Sequence, residues 1–300
     1  MAGSKYRFLA FHFGKVHKRP GGLRYWILPD CKVTDSDLKM LLEFDFDKPQ
    51  PKEIIEIFKG GMTKRSRVMR FQSSGSCYVA KIYRPYGRFR NLIRNHIRHR
   101  KYTFAEMKNN IRAAKLGINT PRIYAYFEET ILGFVHQCGV IMEDIHDHVP
   151  LKSLLLSGKR TLEDCLPLFR KFYESGIYYM DSNTKNIMVR ESDNHYTIID
   201  WQETKFYPKI NELQLCYIAA GVLRDINVCP QEANATSWLR HLRKQCNLNI
   251  DVDEMVKIVN TMLTMQIHTA EKITPATTKL KSFKIERKIK CSSNKFVKAK

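Results

Sequence analysis

The sequence lacks the short spacings that bring thiols and imidazoles together. It contains eight cysteines and ten histidines, but no Cys-x-x-Cys or Cys-x-His pair and no His-x-x-x-His spacing. These absences argue against a zinc site and against the small disulfide-rich domains of secreted proteins. We therefore expect the cysteines to be free thiols, as in a cytosolic protein.

Long apolar runs are missing too. No stretch of eighteen apolar residues occurs, and the first twenty residues contain neither the long apolar segment nor the small-residue cleavage site of a signal peptide. We expect a chain that does not cross a membrane, while binding at a membrane surface stays open. Its 300 residues, 43% of them hydrophobic, can bury a core in one large domain or in two lobes.

Acidic residues are absent from residues 57–105 and scarce in the whole chain. Lys and Arg number 51 against 30 Asp and Glu, which gives a formal net charge of +21. An excess of this size predicts an anionic partner, such as nucleic acid, a phosphorylated glycolipid or a membrane surface. A merely solvated basic face is the alternative, although closely spaced positive charges repel one another.

Residues 88–99 have the pattern of a basic amphipathic helix. Its apolar stripe consists of Phe89, Leu92, Ile93 and Ile97, and its arginines lie on the remaining surface. The pattern favours packing of the stripe on the protein's own core, with shallow insertion into a membrane as the alternative. We expect three arginines to contact phosphates of an acceptor or of a membrane: Arg90, Arg94 and Arg98.

The order of the elements predicts an α+β fold with two lobes. Two apolar-alternating segments around the "QSSGS" turn indicate a β-hairpin, and a helix is expected from an N-cap at Thr103 to a stop at Gly117. Two further strands follow, and the pattern is mainly helical after residue 205. A small sheet-bearing lobe and a helical lobe would leave a cleft as the ligand site. The predicted divisions are a segment of unclear role (1–55), an N-lobe (56–143), a C-lobe (144–275) and a basic tail (276–300).

Five side chains in this order match the tasks of phosphoryl transfer from ATP. Lys81, near the end of a strand in "YVAKIY", can hold the nucleotide phosphates, and Glu106 in the next helix can orient it. Asp181 and Asn186 have the Asp-x-x-x-x-Asn spacing of a kinase catalytic loop, in which the aspartate takes the hydroxyl proton and the asparagine binds metal. Asp200, at the end of the "YTIID" strand, is the expected second magnesium ligand.

The contacts to the rest of the nucleotide are less specific. No Gly-x-Gly-x-x-Gly loop occurs, but Gly60 and Gly61 precede the hairpin and would let backbone N–H groups approach phosphate; a plain turn is the alternative. The strand in "GVIMEDI" would lead from one lobe to the other. Its backbone at Met142, Glu143 and Asp144 is the candidate for contact with adenine, and an edge strand with capping acids is the alternative.

Several stretches carry a resemblance to a known family. They are "YVAKIYRPYGRFRNLIRN", "FAEMKNNIRAAKLGINTPRIYAYFE", "MDSNTKNIMV" and "IIDW". In these stretches the chain resembles the kinases of the heptose and Kdo sugars of the lipopolysaccharide core, a bacterial branch of the protein kinase-like fold, over roughly residues 57–205. The resemblance implies ATP-dependent phosphorylation of an inner-core sugar hydroxyl, with Mg²⁺, at the cytoplasmic face of the inner membrane.

The chain departs from the family pattern at a few positions. Tyr179 stands where many relatives have histidine, Met180 where glycine is frequent, and Gln202 replaces the glycine of Asp-Phe-Gly. The side chains for the charged and metal-binding tasks are nevertheless all present. We therefore favour an active enzyme over a pseudokinase.

Two other functions fit parts of the sequence. RIO-type protein kinases and aminoglycoside or choline kinase-like phosphotransferases share the aspartate, asparagine and "IID" positions without so basic an insertion. A non-catalytic protein of kinase shape that binds nucleic acid or a membrane would explain the charge alone. No RNA-recognition, KH or zinc-finger motif is present in the sequence, so we expect no specific nucleic-acid partner.

Overall fold

The computed structural model describes residues 2–45, 49–59, 66–83, 93, 96–97, 100–265 and 267–277. The chain divides into two compact units. The first, called here the sheet unit, comprises Met1–Lys115 and Thr120–His146. The second, the helical unit, comprises Leu116–Asn119 and Asp147–Lys300. The molecule thus has the mixed α and β content that the element order predicts.

Seven of the described strands form one antiparallel sheet in the order β1-β2-β6-β7-β5-β4-β3. Their bounds are His17–Lys18 (β1), Leu23–Ile27 (β2), Ile54–Lys59 (β3), Ser66–Ser73 (β4), Ser76–Tyr83 (β5), Ile123–Ile131 (β6) and Phe134–Glu143 (β7). The predicted hairpin is confirmed as β4 and β5. Its two turn residues, Ser74 and Gly75, both have positive φ, as a type I′ turn requires.

Residues 1–55, whose role the sequence leaves open, contribute to this sheet. The β2 strand pairs with β6, with Trp26 opposite Tyr126, and so places the N-terminal segment on the edge of the sheet. Neighbouring residues alternate between two hydrophobic clusters, since Tyr25 belongs to one and Trp26 to the other. The alternation follows from the two-residue period of a strand, and both faces of the sheet are therefore covered.

The described part of the sheet unit includes the α-helices α1 (Ala2–Phe13), α2 (Asp35–Glu43) and α3 (Ala105–Lys115). The predicted start of α3 is wrong, because a π-helical turn over Arg100–Phe104 precedes it and contains Thr103. The predicted stop is close to the observed one. Gly117 has a φ of +76° just beyond Lys115, a conformation that glycine adopts without a steric cost.

As far as the structure describes it, the helical unit contains two small antiparallel sheets and six α-helices. One sheet has the order β11-β10-β8 and the other pairs β12 with β9. The strands are His148–Pro150 (β8), Ile177–Tyr179 (β9), Ile187–Arg190 (β10), His195–Ile198 (β11) and Thr204–Phe206 (β12). The helices are Leu151–Leu156 (α4), Leu166–Glu174 (α5), Glu212–Ile226 (α6), Ala233–Cys246 (α7), Val252–Met262 (α8) and Ile267–Ala270 (α9). The mainly helical pattern predicted after residue 205 is confirmed.

Two predictions fall largely outside the described residues. Of the basic helix over 88–99, the structure describes Ile93, His96 and Ile97, and of the basic tail over 276–300 it describes only the first two residues. Ile93 and Ile97 are 63% and 64% exposed, so packing of the stripe on the core is wrong for these two side chains. The seven cysteines within the described part of the chain are free thiols, as expected.

Candidate active site

Lys81 and Glu106 form the ion pair that the sequence predicts. The Lys81 Nζ lies 2.6 Å from the Glu106 Oε2. Lys81 is on β5, where its backbone faces Val68 of β4 on one side and Val140 of β7 on the other. Glu106 is in the first turn of α3, where a carboxylate is also stabilised by the helix dipole. The pair therefore joins a central strand to the start of a helix.

The remainder of α3 is held by packing and by hydrogen bonds. Met107 and Ala113 are fully buried. The Asn110 side chain donates from its Nδ2 to the Pro121 carbonyl at 3.1 Å and accepts from the Thr120 hydroxyl at 3.1 Å. These contacts fix the helix against the segment that leads into β6.

Asp181 lies in a loop between β9 and a 3₁₀ turn over Thr184–Asn186. Asn186 donates from its Nδ2 to both the backbone carbonyl and the Oδ2 of Asp181, each at 3.1 Å. Asn183 donates to the other carboxylate oxygen. Amide donors on both oxygens fix the orientation of the carboxylate.

Contacts with α6 hold this loop in place. Ser182 donates from its hydroxyl to the Ile218 carbonyl at 2.9 Å. Gly221 faces the same hydroxyl so closely that a Cβ on it would lie 2.0 Å from the Ser182 Oγ. Ser182, the residue after Asp181, therefore packs directly against the backbone of α6 at Gly221.

Asp225, near the end of α6, forms a second support. Its carboxylate accepts from the Thr184 backbone N at 3.0 Å and from the Thr184 hydroxyl. It also pairs with the Lys152 Nζ at 3.0 Å. Burial opposes ionisation of Asp225, but the hydrogen bonds from Thr184 and Lys152 and the charge of Lys152 outweigh it and lower the pKa of the carboxyl.

Asp200 lies two residues beyond β11 instead of at its end. It has a φ of +61°, a left-handed conformation that aspartate tolerates better than most residues. The next residue, Trp201, is fully buried and donates from its indole N to the Ile198 carbonyl at 2.9 Å. The kink at Asp200 thus separates a buried aromatic anchor from a half-buried carboxylate.

The Asn186 and Asp200 segments are connected through the backbone. Ile199 donates from its backbone N to the Asn186 carbonyl at 2.9 Å, and the Tyr179 hydroxyl donates to the Ile199 carbonyl at 2.6 Å. Tyr179, which stands where many relatives have histidine, is fully buried. It therefore ties the strand before Asp181 to the residue before Asp200.

Of the other residues predicted to contact the nucleotide, besides Lys81 on β5, the structure describes Met142 and Glu143 at the end of β7. Met142 is half-buried and Glu143 is exposed. The Glu143 backbone N donates to the Arg122 carbonyl at 2.8 Å, and its carboxylate accepts from the Arg122 N at 3.0 Å. Gly60 and Gly61, like Arg90, Arg94 and Arg98, lie outside the described residues.

Sequence reasoning missed the residues that support the loop. Asn183 does not lie at a known motif spacing from Asp181, as Asn186 does. Gly221 is a single glycine within a helical pattern, which does not by itself indicate a contact. Asp225 carried a signal, because an acid in the last turn of a helix opposes the helix dipole and indicates a compensating partner. Nothing local pointed to Thr184 and Lys152 as that partner.

A comparison with protein families decides the relationship of this chain. The model of the lipopolysaccharide kinase (Kdo/WaaP) family matches residues 50–207, which is 158 of the 300 residues. The chain belongs to this family. The resemblance read from the sequence is thus confirmed, and the matched region contains both the Lys81–Glu106 pair and the Asp181 loop.

Two other comparisons add less. No curated protein matches the chain. Among solved structures the chain is similar to one described as WaaP in complex with acyl carrier protein, with 14% identity over 72% of this chain and 88% of that chain and a TM-score of 0.48.

Family membership defines the class of reaction. The protein is a phosphotransferase, a kinase that acts on a sugar hydroxyl, and membership implies ATP as the phosphoryl donor. Within the described part of the chain, no group of three or more His, Cys, Asp or Glu side chains is placed to hold a metal ion. None of the described helices is long and apolar enough to span a bilayer.

Proposed function

We propose that this protein is an ATP- and Mg²⁺-dependent kinase that phosphorylates a hydroxyl of heptose or Kdo in the inner core of lipopolysaccharide. The observation that carries the proposal is the Asp181 loop, in which both carboxylate oxygens are held by asparagine amides. This loop occurs in a member of the lipopolysaccharide kinase family. A carboxylate fixed in this way is suited to orient an attacking hydroxyl.

The nucleotide phosphates are assigned to Lys81, which Glu106 orients. The Lys81 side chain is 18% exposed, compared with 6% for Glu106. Gly60 and Gly61 are proposed to bring backbone N–H groups to the phosphates. The adenine ring is assigned to the backbone at Met142 and Glu143, where the Glu143 carbonyl is the candidate because its N–H already donates to Arg122.

Asn186 and Asp200 are the proposed Mg²⁺ ligands, and their donor atoms fit this ion. The Asn186 Nδ2 donates twice to Asp181, so the Oδ1 is the amide atom left for a cation. Mg²⁺ prefers oxygen ligands and is commonly held by one or two protein side chains together with substrate phosphates. When bound, it would neutralise charge on the transferred phosphoryl group.

The proposed reaction needs little covalent chemistry from the protein. The sugar hydroxyl oxygen forms a bond to the γ-phosphorus of ATP while the bond from that phosphorus to the ADP oxygen breaks. Asp181 orients the hydroxyl and accepts its proton late, because the transition state is loose and the attacking oxygen holds little positive charge until then. Lys81 stays on the phosphates throughout.

The positive charge is proposed to hold the enzyme at the cytoplasmic face of the inner membrane, next to its acceptor. Arg90, Arg94 and Arg98 are assigned to phosphates of the lipid or of the core sugars, and each such cation contributes about 1 kcal/mol near an anionic surface. The exposure of Ile93 and Ile97 supports this assignment, because apolar side chains between cations favour the interface of a bilayer.

The substrate assignment is tested with the purified protein, Mg-ATP and dephosphorylated inner-core oligosaccharide. We expect one added phosphate per acceptor by mass spectrometry, on heptose or Kdo. Absence of transfer to this acceptor, together with transfer to a protein or to an aminoglycoside in a parallel screen, would replace the lipopolysaccharide assignment by one of the other kinase classes.

The surface assignment is tested by changing Arg90, Arg94 and Arg98 together to Gln. Binding to anionic vesicles should weaken and become less sensitive to salt, while Mg-ATP affinity stays the same. The matched control changes three exposed cations of the helical unit, Arg240, Lys244 and Lys257, to Gln. Equal losses in the two triple variants would show that only the net charge matters.

A further inference from the structure

The N-terminal helix α1 is anchored to the sheet by a buried ion pair. Lys5 of α1 pairs with Glu128 of β6, and their side chains are only 5% and 0% exposed. The same carboxylate accepts hydrogen bonds from Tyr6 at 3.3 Å and Tyr126 at 3.2 Å, and it lies 3.3 Å from the Arg24 Nε. A charge buried this deeply is tolerated only when it has such partners. These contacts therefore fix the position of α1 on the sheet.

The same helix contacts the segment that leads into α3. The ring of Phe8 packs edge-on against Phe104, with centroids 5.8 Å apart, and the Lys5 ammonium lies 5.7 Å from the centre of the Phe104 ring. Near the other end of α3, the Lys115 ammonium lies 5.4 Å from the centre of the Phe11 ring. The α1 helix therefore touches the α3 segment near both of its ends.

Phe104 occupies an unusual position. It is the last residue of the π-helical turn Arg100–Phe104 and stands two residues before Glu106. A π-helical turn is a rare geometry that needs tertiary contacts to persist. Its packing against Phe8 and Tyr126, whose centroid is 6.1 Å away, supplies such contacts.

We propose that α1 is a positioning element for the nucleotide site, with Phe8 as its principal positioning residue. By holding Phe104, it sets the start of α3 and thereby the place of the Glu106 carboxylate opposite Lys81. The inference rests on the proposed role of the Lys81–Glu106 pair in binding nucleotide. This effect on nucleotide binding does not require any residue of α1 to touch ATP. It is transmitted by the packing of Phe8 against Phe104, which lies two residues before Glu106.

The test measures Mg-ATP affinity by calorimetry in Phe8→Ala. We expect affinity to fall by about two- to thirtyfold, the range found for substitutions that act on a site without touching the ligand. Phe8→Leu should restore much of the affinity, since it keeps apolar contact with Phe104. Arg7→Ala is the matched control, because Arg7 is exposed on the same helix, and it should have no effect.

A double-mutant cycle with Glu106→Gln separates positioning from general destabilisation. If α1 acts through Glu106, adding Phe8→Ala to Glu106→Gln should cause little further loss. Equal losses of Mg-ATP affinity from Phe8→Ala in both backgrounds, or unchanged affinity in a folded single variant, would overturn the proposal. If Glu106→Gln itself binds Mg-ATP normally, the assigned role of the ion pair fails instead.

Discussion

The Lys81–Glu106 pair and the Asp181 loop hold their functional groups in different ways. The first joins a strand to a helix by one direct contact of 2.6 Å. In the second, Asp181 and Asn186 are five residues apart, and the long-range contacts come from residues outside the motif, such as Asp225 and Gly221. The Lys81–Glu106 pair is lost when either residue is changed. The Asp181 loop can also be disturbed by changes in α6, which packs against it.

The difference also separates the expected kinetic effects. Changes at the pair should weaken nucleotide binding, because Lys81 is assigned to the phosphates. Changes at the Asp181 carboxylate should lower turnover, because its contact with the hydroxyl matters most in the transition state. The four predictions below test this division and run from the largest expected effect to the smallest.

Asp181→Asn should show the largest effect. The substitution keeps the size of the side chain but removes the charge that orients the hydroxyl and accepts its proton. We expect turnover to fall by about 10²- to 10⁴-fold, with Mg-ATP affinity nearly unchanged by calorimetry. Asp193→Asn, a change in an exposed ion pair with Arg190, is the matched control. Wild-type turnover in the Asp181 variant would remove this residue from the mechanism.

Asp200→Asn is expected to act on metal-nucleotide binding. Asparagine tolerates the φ of +61° at this position, so the change tests the carboxylate and not the backbone, which Asp200→Ala would also strain. We expect Mg-ATP affinity to fall at least about tenfold, or about 1.4 kcal/mol. The measurement is a titration of ATP binding at several Mg²⁺ concentrations. An unchanged affinity would contradict the assignment of Asp200 to the metal.

Gly221→Ala tests whether the Asp181 loop depends on its close packing against α6. Helix propensity alone would make the variant more stable by about 1 kcal/mol. The added Cβ would lie 2.0 Å from the Ser182 Oγ, so we expect instead a loss of about 1 to 3 kcal/mol in unfolding free energy together with reduced turnover. Urea denaturation and kinetics measure the two effects.

A second substitution checks the cause of that loss. The atom that the new Cβ meets first is the Ser182 hydroxyl oxygen, so Ser182→Ala combined with Gly221→Ala should recover part of the stability and of the turnover. If the double variant is worse than Gly221→Ala alone, the contact with Ser182 is not the reason for the glycine.

Local patterns predicted much of this molecule. The hairpin of β4 and β5 followed from strand alternation around a Ser-Gly turn, and the end of α3 followed from a glycine before a proline. The Asp-x-x-x-x-Asn spacing selected Asp181 and Asn186, which the structure places in hydrogen-bond contact. In each case the signal lies within a few residues of the feature, where propensity and turn chemistry act.

The missed features depend on contacts between distant parts of the chain. The Lys5–Glu128 pair joins residues 123 positions apart, and Thr184 reaches Asp225 across 41 positions. No periodicity links such residues, so a single sequence does not pair them. The start of α3 was missed for a related reason, because its π-helical turn is held by Phe8 and Tyr126 and not by a capping sequence.

Asp225→Asn should have the smallest effect of the four, and one that depends on pH. The folded-state pKa of Asp225 lies below its ordinary value of 3.8, so its charge stabilises the folded protein above about pH 4. That contribution is lost as the pH falls through the lowered pKa. The variant should therefore be less stable than wild type by about 1 to 2 kcal/mol at pH 7, and the difference should shrink below pH 4.

Urea denaturation at pH 7 and at about pH 3 measures this dependence, with Asp193→Asn as the control for an exposed ion pair that contributes little. Lys152→Met provides a second check, because it removes the cation but leaves the acceptors of the Thr184 hydrogen bonds in place. If turnover falls in Asp225→Asn but not in Lys152→Met, the contact with Thr184 is the one that supports the Asp181 loop. A stability difference that is the same at both pH values would mean that the charge of Asp225 is not what holds the loop.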